Sequence, residues 1–104
     1  MIEFKQTEKD NYSFTVKSQT GKILLKSIPF SSKDSMETSL KGLKNYEDID
    51  AKIFERRTNT EGKFLVELKN SYGEVIGSSD FYSSEAGMEN GLINISKSLK
   101  LGLL

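Results

Sequence analysis

The chain has 104 residues, a length that suits one domain, and 36% of them are hydrophobic, which is enough for a core. It carries 15 basic and 15 acidic residues, so its formal net charge is zero, whereas nucleic-acid-binding domains are usually basic. The lack of cysteine and histidine excludes disulfides, thiol chemistry, Ser–His–Asp hydrolysis and the usual zinc ligands.

The first residues and the hydropathy pattern predict a cytoplasmic protein without membrane association. Met1–Gln6 lack the basic and then apolar segments of a secretion signal. No run of 18 apolar residues is long enough to span a bilayer. A chain without cysteine also fits a reducing compartment.

Three strands are predicted in the first half of the chain. Alternating apolar residues indicate strands at 2–6 and 12–16. The turn residues Gln19–Lys22 lead to a third strand at Ile23–Ile28. Pro29 should end that strand, because proline cannot donate a ladder hydrogen bond.

The second half shows the same pattern. Ile53–Arg57 is a short candidate strand, and Lys63–Lys69 alternates apolar and charged side chains as a half-buried strand does. Asn70–Gly73 has turn chemistry, and Glu74–Ser79 is predicted to return as a hairpin partner.

A helix should close each half, beginning at a pair of serines that can cap it, Ser31–Ser32 or Ser83–Ser84. Gly87 and Gly91 weaken the second helix, which predicts close approach to the sheet or to the other helix. The apolar end, Leu99–Leu104, either finishes this helix and packs down or docks on a partner. The predicted apolar stripes are Met36, Leu40 and Leu43 in the first helix, and Met88, Leu92, Ile95 and Leu99 in the second.

An internal duplication explains this likeness. Shifting the sequence by 52 positions aligns residues 12–46 with 64–98 without gaps. Phe4 is expected to match Phe54, with two extra residues in the second copy around Thr58–Gly62. Each copy is too small to bury its apolar face alone, so both should share one core. We therefore predict one domain over 1–104, made of repeat one (1–46), a polar linker (47–51) and repeat two (52–104).

The second copy resembles the repeat of the YegP-like family of small bacterial proteins, a domain of unknown function. The resemblance rests on Gly73–Ile76, Ser78–Ser79, Tyr82–Ser84 and Glu89–Leu92. The first copy departs from that pattern, with phenylalanine at position 30 for the tyrosine and serine at position 39 for the helix glycine. The resemblance implies an α+β fold: tandem β-β-β-α repeats forming one antiparallel sheet with two helices packed on it and exchanged between the repeats. It implies no established activity, cofactor or substrate.

The residues predict no catalytic group, no metal site and no cofactor. The leading hypothesis is therefore a non-catalytic interaction module that binds a protein or peptide through an exposed sheet edge or an aromatic patch. We also expect a monomer, since two fused copies supply the closure that a single copy would need a dimer for.

Two alternatives remain. Basic and aromatic residues on a small sheet can bind single-stranded nucleic acid, and the candidates here are Arg56, Arg57, Lys63 and Tyr82. The zero net charge predicts that such binding is weak, and it argues against a nucleic-acid partner. The other alternative is an enzyme that uses paired carboxylates, although no two of the scattered acids are placed together by the sequence pattern.

Overall fold

Six strands form one antiparallel sheet, and two helices lie on one face of it, as predicted. The structure is a computed structural model that describes residues 1–7 and 9–103. The strand order is β1-β2-β3-β6-β5-β4, so the third strands of the two halves meet at the centre and the first strands form the edges. In chain order the elements are β1 (Ile2–Gln6), β2 (Tyr12–Lys17), β3 (Ile23–Ser27), α1 (Lys33–Lys41), β4 (Phe54–Thr58), β5 (Phe64–Lys69), β6 (Val75–Ser78) and α2 (Glu85–Leu103).

The core lies between the sheet and the helices. The alternating residues of the middle strands face it, so that Phe14, Val16, Val66 and Leu68 are fully buried. All seven residues of the predicted helix stripes are buried in the same cluster. One continuous core therefore serves both halves of the chain.

Matched hydrogen bonds recur in the two halves. The Oγ of Ser27 accepts the N–H of Phe14 at 2.9 Å, and the Oγ of Ser79 accepts the N–H of Val66 at the same distance. The backbones of Tyr12 and Phe30 exchange two hydrogen bonds, as do those of Phe64 and Tyr82. Serine hydroxyls also accept an N–H at both helix starts, Ser32 from Ser35 and Ser84 from Gly87.

The expected match of Phe4 with Phe54 is wrong. Phe4 pairs with Phe14 on β2, and the residue that pairs with the corresponding Val66 on β5 is Arg56. The turns after β1 and β4 have equal length and the same bonding pattern, so no extra residues are present. A shift of 52 therefore holds from the first strand onward, and an exposed phenylalanine in one half stands where the other half has an arginine.

Helix α2 crosses the whole sheet. Its first half contacts β4 through Glu89, which binds Arg56, and its end lies so close to β1 that a Cβ on Gly102 would be 2.6 Å from Cγ1 of Ile2. Nineteen residues give a helix of ~28 Å, which matches the ~24 Å covered by five strand spacings. The predicted continuation of the helix through the apolar end is confirmed as far as Leu103, which packs against the core, while Leu104 lies outside the described residues.

The reason for glycine at position 91 differs from the predicted one. A Cβ there would lie 2.1 Å from Oη and 2.4 Å from Cζ of Tyr82, so it is the tyrosine ring that approaches the helix, rather than the sheet or α1. Position 87 borders the same ring, since its Cβ would lie 3.8 Å from Cδ1 of Tyr82. Glycine thus makes room on α2 for the ring of Tyr82, which comes from the connection just before the helix.

The segment between α1 and β4 is tied to the body of the protein. The carbonyl oxygen of Tyr46 accepts a hydrogen bond from Oγ of Ser96 on α2 at 2.6 Å, and Ile49 and Ala51 pack against the core. In the described part of the chain, neither helix is both long and apolar enough to cross a membrane.

Candidate binding surfaces

The two candidate arginines lie on opposite faces of the sheet, because they are consecutive on β4. Arg56 faces the helix layer, where its Nε and Nη2 atoms donate to the two carboxylate oxygens of Glu89 at 2.5 and 3.1 Å. Its Nη2 also lies 3.5 Å from a carboxylate oxygen of Asp50. Hydrogen bonding to this guanidinium lowers the pKa of Glu89. Arg56 therefore joins the edge strand to α2.

Arg57 lies on the open face of the sheet among carboxylates. Its Nε donates to Glu67 at 2.5 Å, and its Nη2 lies 3.3 Å from Glu55. Glu55 is also paired with Lys69, and the hydrogen bond from that lysine is the main reason why the pKa of Glu55 is lowered. The positive charge of Arg57 is thus largely neutralised within the sheet.

Lys63 and Tyr82 lie elsewhere. Lys63 is exposed in the turn before β5, and Tyr82 is half-buried in the connection between β6 and α2. Burial, followed by the charge of Asp80, raises the pKa of the Tyr82 hydroxyl. The structure does not combine the four candidate residues into one basic and aromatic surface. Nucleic-acid binding stays a prediction. The signal that the sequence reasoning missed is that consecutive strand residues point to opposite faces of a sheet, which separates the two arginines.

The edge at β1 is a second surface, and its outward backbone groups have no hydrogen-bond partner among residues 1–7 and 9–103. Met1 and Lys17 exchange backbone hydrogen bonds, and pairing alternates along the ladder, so Ile2, Phe4 and Gln6 direct their N–H and C=O groups outward. The side chain of Phe4 is 54% exposed at the centre of this edge. We call these three residues the β1 edge.

The other edge of the sheet, at β4, also directs backbone groups outward but carries a charged side chain at its centre. On β4 the outward position that matches Phe4 holds Arg56, whose side chain reaches Glu89, Asp50 and the carbonyl oxygen of Ile49. Charged residues on an edge strand, together with a covering chain segment, discourage pairing with another strand. The two edges therefore differ in what they can bind, a difference that the sequence pattern alone did not show.

Metal binding has no support in the geometry. Within residues 1–7 and 9–103, no three histidine, cysteine, aspartate or glutamate side chains converge so as to hold a metal ion. The acidic residues near Asp48 and Asp50 form local turn contacts, in which the N–H of Asp50 donates to Oδ1 of Asp48 at 2.9 Å.

Taken together, the fold and these surfaces define an α+β protein with one six-stranded antiparallel sheet, two helices and one open edge. Solved structures share this architecture. A UPF0339 protein from Shewanella oneidensis superimposes with a TM-score of 0.84 at 23% identity, covering 95% of this chain and 83% of that one. The YegP protein from Escherichia coli gives a TM-score of 0.81 at 24% identity, covering 94% and 84% of the two chains.

Sequence comparison places the chain in a family. The YegP protein of Yersinia pestis is 30% identical over 95 residues, which are 91% of this chain and 84% of that protein. The model of a domain of unknown function, DUF1508, matches residues 59–98. The chain belongs to the UPF0339 family of YegP proteins, as the resemblance had implied. This membership indicates no catalytic or other specific role.

Proposed function

We propose that this protein is a non-catalytic binding module that adds an extended segment of a protein partner to its sheet at the β1 edge. The observation that carries the proposal is the contrast between the two sheet edges. Both edges direct backbone groups outward, but one presents an exposed phenylalanine at its centre and the other an arginine held in ion pairs.

The β1 edge has what strand addition requires. Backbone N–H and C=O groups supply affinity, and alternate side-chain positions supply selectivity. Phe4 lies on the helix side of the sheet and is more than half exposed, so it offers an apolar contact to the residue that lies opposite it on an added strand. We therefore expect the partner segment to be extended and to carry an apolar side chain opposite Phe4.

The proposal includes a duplicated architecture. The recurrence of the same serine, turn and cap hydrogen bonds at a spacing of 52 residues supports two tandem repeats, 1–46 and 52–104, joined by the linker 47–51. Contacts of α2 with β1, β2 and β3 support exchange of this helix onto the first repeat. A single core shared by both repeats supports one domain and a monomeric protein, and the lack of cysteine supports a cytoplasmic location.

Peptide binding at the β1 edge can be tested by selecting peptides from a random library against the full chain. Selected peptides should perturb the amide NMR signals of Ile2, Phe4 and Gln6 more than those of any other strand. Phe4→Lys places a charge at an exposed edge position, so the fold should persist while peptide affinity falls about tenfold or more.

Arg56→Lys is the matched control, since it keeps a charge at the equivalent position of the other edge. It should leave peptide affinity unchanged. The proposal is wrong if no peptide is enriched, or if the enriched peptides perturb another surface and bind the Phe4→Lys protein equally well. Light scattering that showed a stable dimer would contradict the proposed monomeric state, whereas binding at the β1 edge is tested by the peptide experiment alone.

A further inference from the structure

A polar groove runs along α2 on its side toward the β2–β3 turn. It has two adjoining parts of about 630 and 420 Å³, which share Ser18, Thr20 and Asn94 in their walls. Small-molecule sites in proteins typically measure about 300–1,000 Å³. The groove is therefore large enough for a small metabolite, and it does not include the β1 edge.

The charge of the groove is one-sided. Lys22 lies in one part, and Lys97 and Lys100 lie in the other, whereas none of the described residues that line either part is an aspartate or glutamate. The whole chain contains equal numbers of acidic and basic residues. Of these lysines, only Lys100 has a carboxylate nearby in the described chain, Glu47 at 3.8 Å, and both groups of that pair are about half exposed. An anion would meet uncompensated positive charge here.

The rest of the groove wall carries neutral hydrogen-bond donors, the amides of Asn90 and Asn94 and the hydroxyl of Tyr82. Asn90, Asn94 and Lys97 follow each other at intervals of four and three residues, so they share one side of α2. The ring of Tyr82 lies in the space left by Gly91, and its hydroxyl has no hydrogen-bond partner among the described residues. Amide, ammonium and phenol groups together favour a ligand rich in acceptor oxygens.

The equivalent place in the other half is filled differently. There the β5–β6 turn faces the end of α1, and the wall contains Asp48 and Asp50 from the linker beside Lys44 and Lys52. Tyr82 also corresponds to Phe30, which is buried against Phe14 and has no hydroxyl to offer. The polar, acid-free groove between the β2–β3 turn and α2 therefore has no equivalent between the β5–β6 turn and α1.

We infer that this groove binds a small organic anion with two phosphate or two carboxylate groups about 10 Å apart, a spacing set by the rise of α2 over the seven steps from Asn90 to Lys97. One anionic group is held by Lys22, Asn90 and the Tyr82 hydroxyl. The other is held by Lys97 and Lys100. Asn94 and the hydroxyls of Ser18 and Thr20 line the stretch between them.

NMR titration of the full chain at low salt tests the inference, with fructose 1,6-bisphosphate as a probe with two anionic ends and fructose 6-phosphate as a probe with one. Binding should be saturable and should perturb amides in 18–22 and 82–101. The bisphosphate should bind about tenfold more tightly than the monophosphate, because a second charge-assisted contact adds that much affinity. A matched pair of dicarboxylates of long and short chain length distinguishes carboxylate from phosphate as the preferred group.

Two double variants give the decisive comparison. Lys22→Gln combined with Lys97→Gln should weaken bisphosphate binding about tenfold or more. Lys44→Gln combined with Lys52→Gln, in the wall at the end of α1, should leave that binding unchanged. Tyr82→Phe should weaken it by a smaller factor. The inference is overturned if neither probe class saturates, if both double variants bind equally well, or if one-ended and two-ended probes bind with the same affinity.

Discussion

The two edge strands show how one architecture can be closed on one side and left open on the other. In β4 the central outward residue is Arg56, and two carboxylates hold its side chain over the strand. In β1 the equivalent residue is Phe4, which lies more than half exposed. A protein whose sheet must not aggregate needs to guard both edges. The unguarded one is therefore where a partner is most simply accommodated.

A second difference between the halves lies at the helices, where the second half has the polar side chain. Position 91 of α2 is glycine and receives the Tyr82 ring, whereas α1 has Ser39 at the equivalent position and Phe30 turns into the core. The exposed apolar edge residue therefore belongs to the first half and the polar ring beside α2 to the second, although both halves share one core. Three measurements can break or sharpen this comparison.

The largest effect is expected from truncating the shared core. Leu92 on α2 is fully buried, so Leu92→Ala should lower the free energy of unfolding by about 2–5 kcal/mol. Because the core is continuous, hydrogen exchange should accelerate equally in β2 and β5. Leu101→Ala, at an exposed position on the same helix, should change the free energy of unfolding by less than about 0.5 kcal/mol. Loss of protection in only one half would show that the halves have separate cores.

A smaller effect is expected where α2 receives the tyrosine. Gly91→Ala gains helix propensity but places a methyl group 2.1 Å from Oη of Tyr82, so the overpacked variant should lose about 1–3 kcal/mol in urea unfolding. Ser39→Ala at the matched position of α1 should change stability by less than about 0.5 kcal/mol. If both variants were equally stable, the close approach of the ring to α2 would be irrelevant to stability.

Much of this fold could be predicted because it depends on local patterns. The period-two alternation in β2 and β5 and the stripe from Met88 to Leu99 each follow from a single element that must bury one side. The edge register could not be read in this way. Matching Phe4 with Phe54 follows apolar likeness and requires two extra residues in the second turn, whereas the two turns have equal length and Phe4 matches the charged Arg56.

The candidate sites show the same limit. The sequence grouped Arg56, Arg57 and Lys63 because they are close in the chain, yet strand geometry separates the arginines and carboxylates from three elements neutralise them. In the groove, Lys22 is far in the chain from Lys97 and Lys100, and they share one surface only because α2 passes the β2–β3 turn. Tyr82, a candidate for nucleic-acid binding, is the one candidate residue that also lines the groove, and the other groove residues were not predicted as site residues.

The smallest effect concerns the guarded edge and its dependence on pH. Arg56 lowers the pKa of Glu89 in the folded state, so the pair stabilises the protein above the unfolded pKa of about 4.3, and this stabilisation is lost as the pH falls through the folded pKa. Both side chains are about one-third exposed, so Arg56→Gln should cost no more than about 1 kcal/mol at neutral pH. The difference in urea unfolding between this variant and the unmodified protein should shrink below about pH 4. Phe4→Gln, on the open edge, gives the pH-independent control, since no ion pair is removed there. A difference for Arg56→Gln that persisted undiminished at low pH would mean that the arginine guards β4 through the packing of its aliphatic chain rather than through its charge.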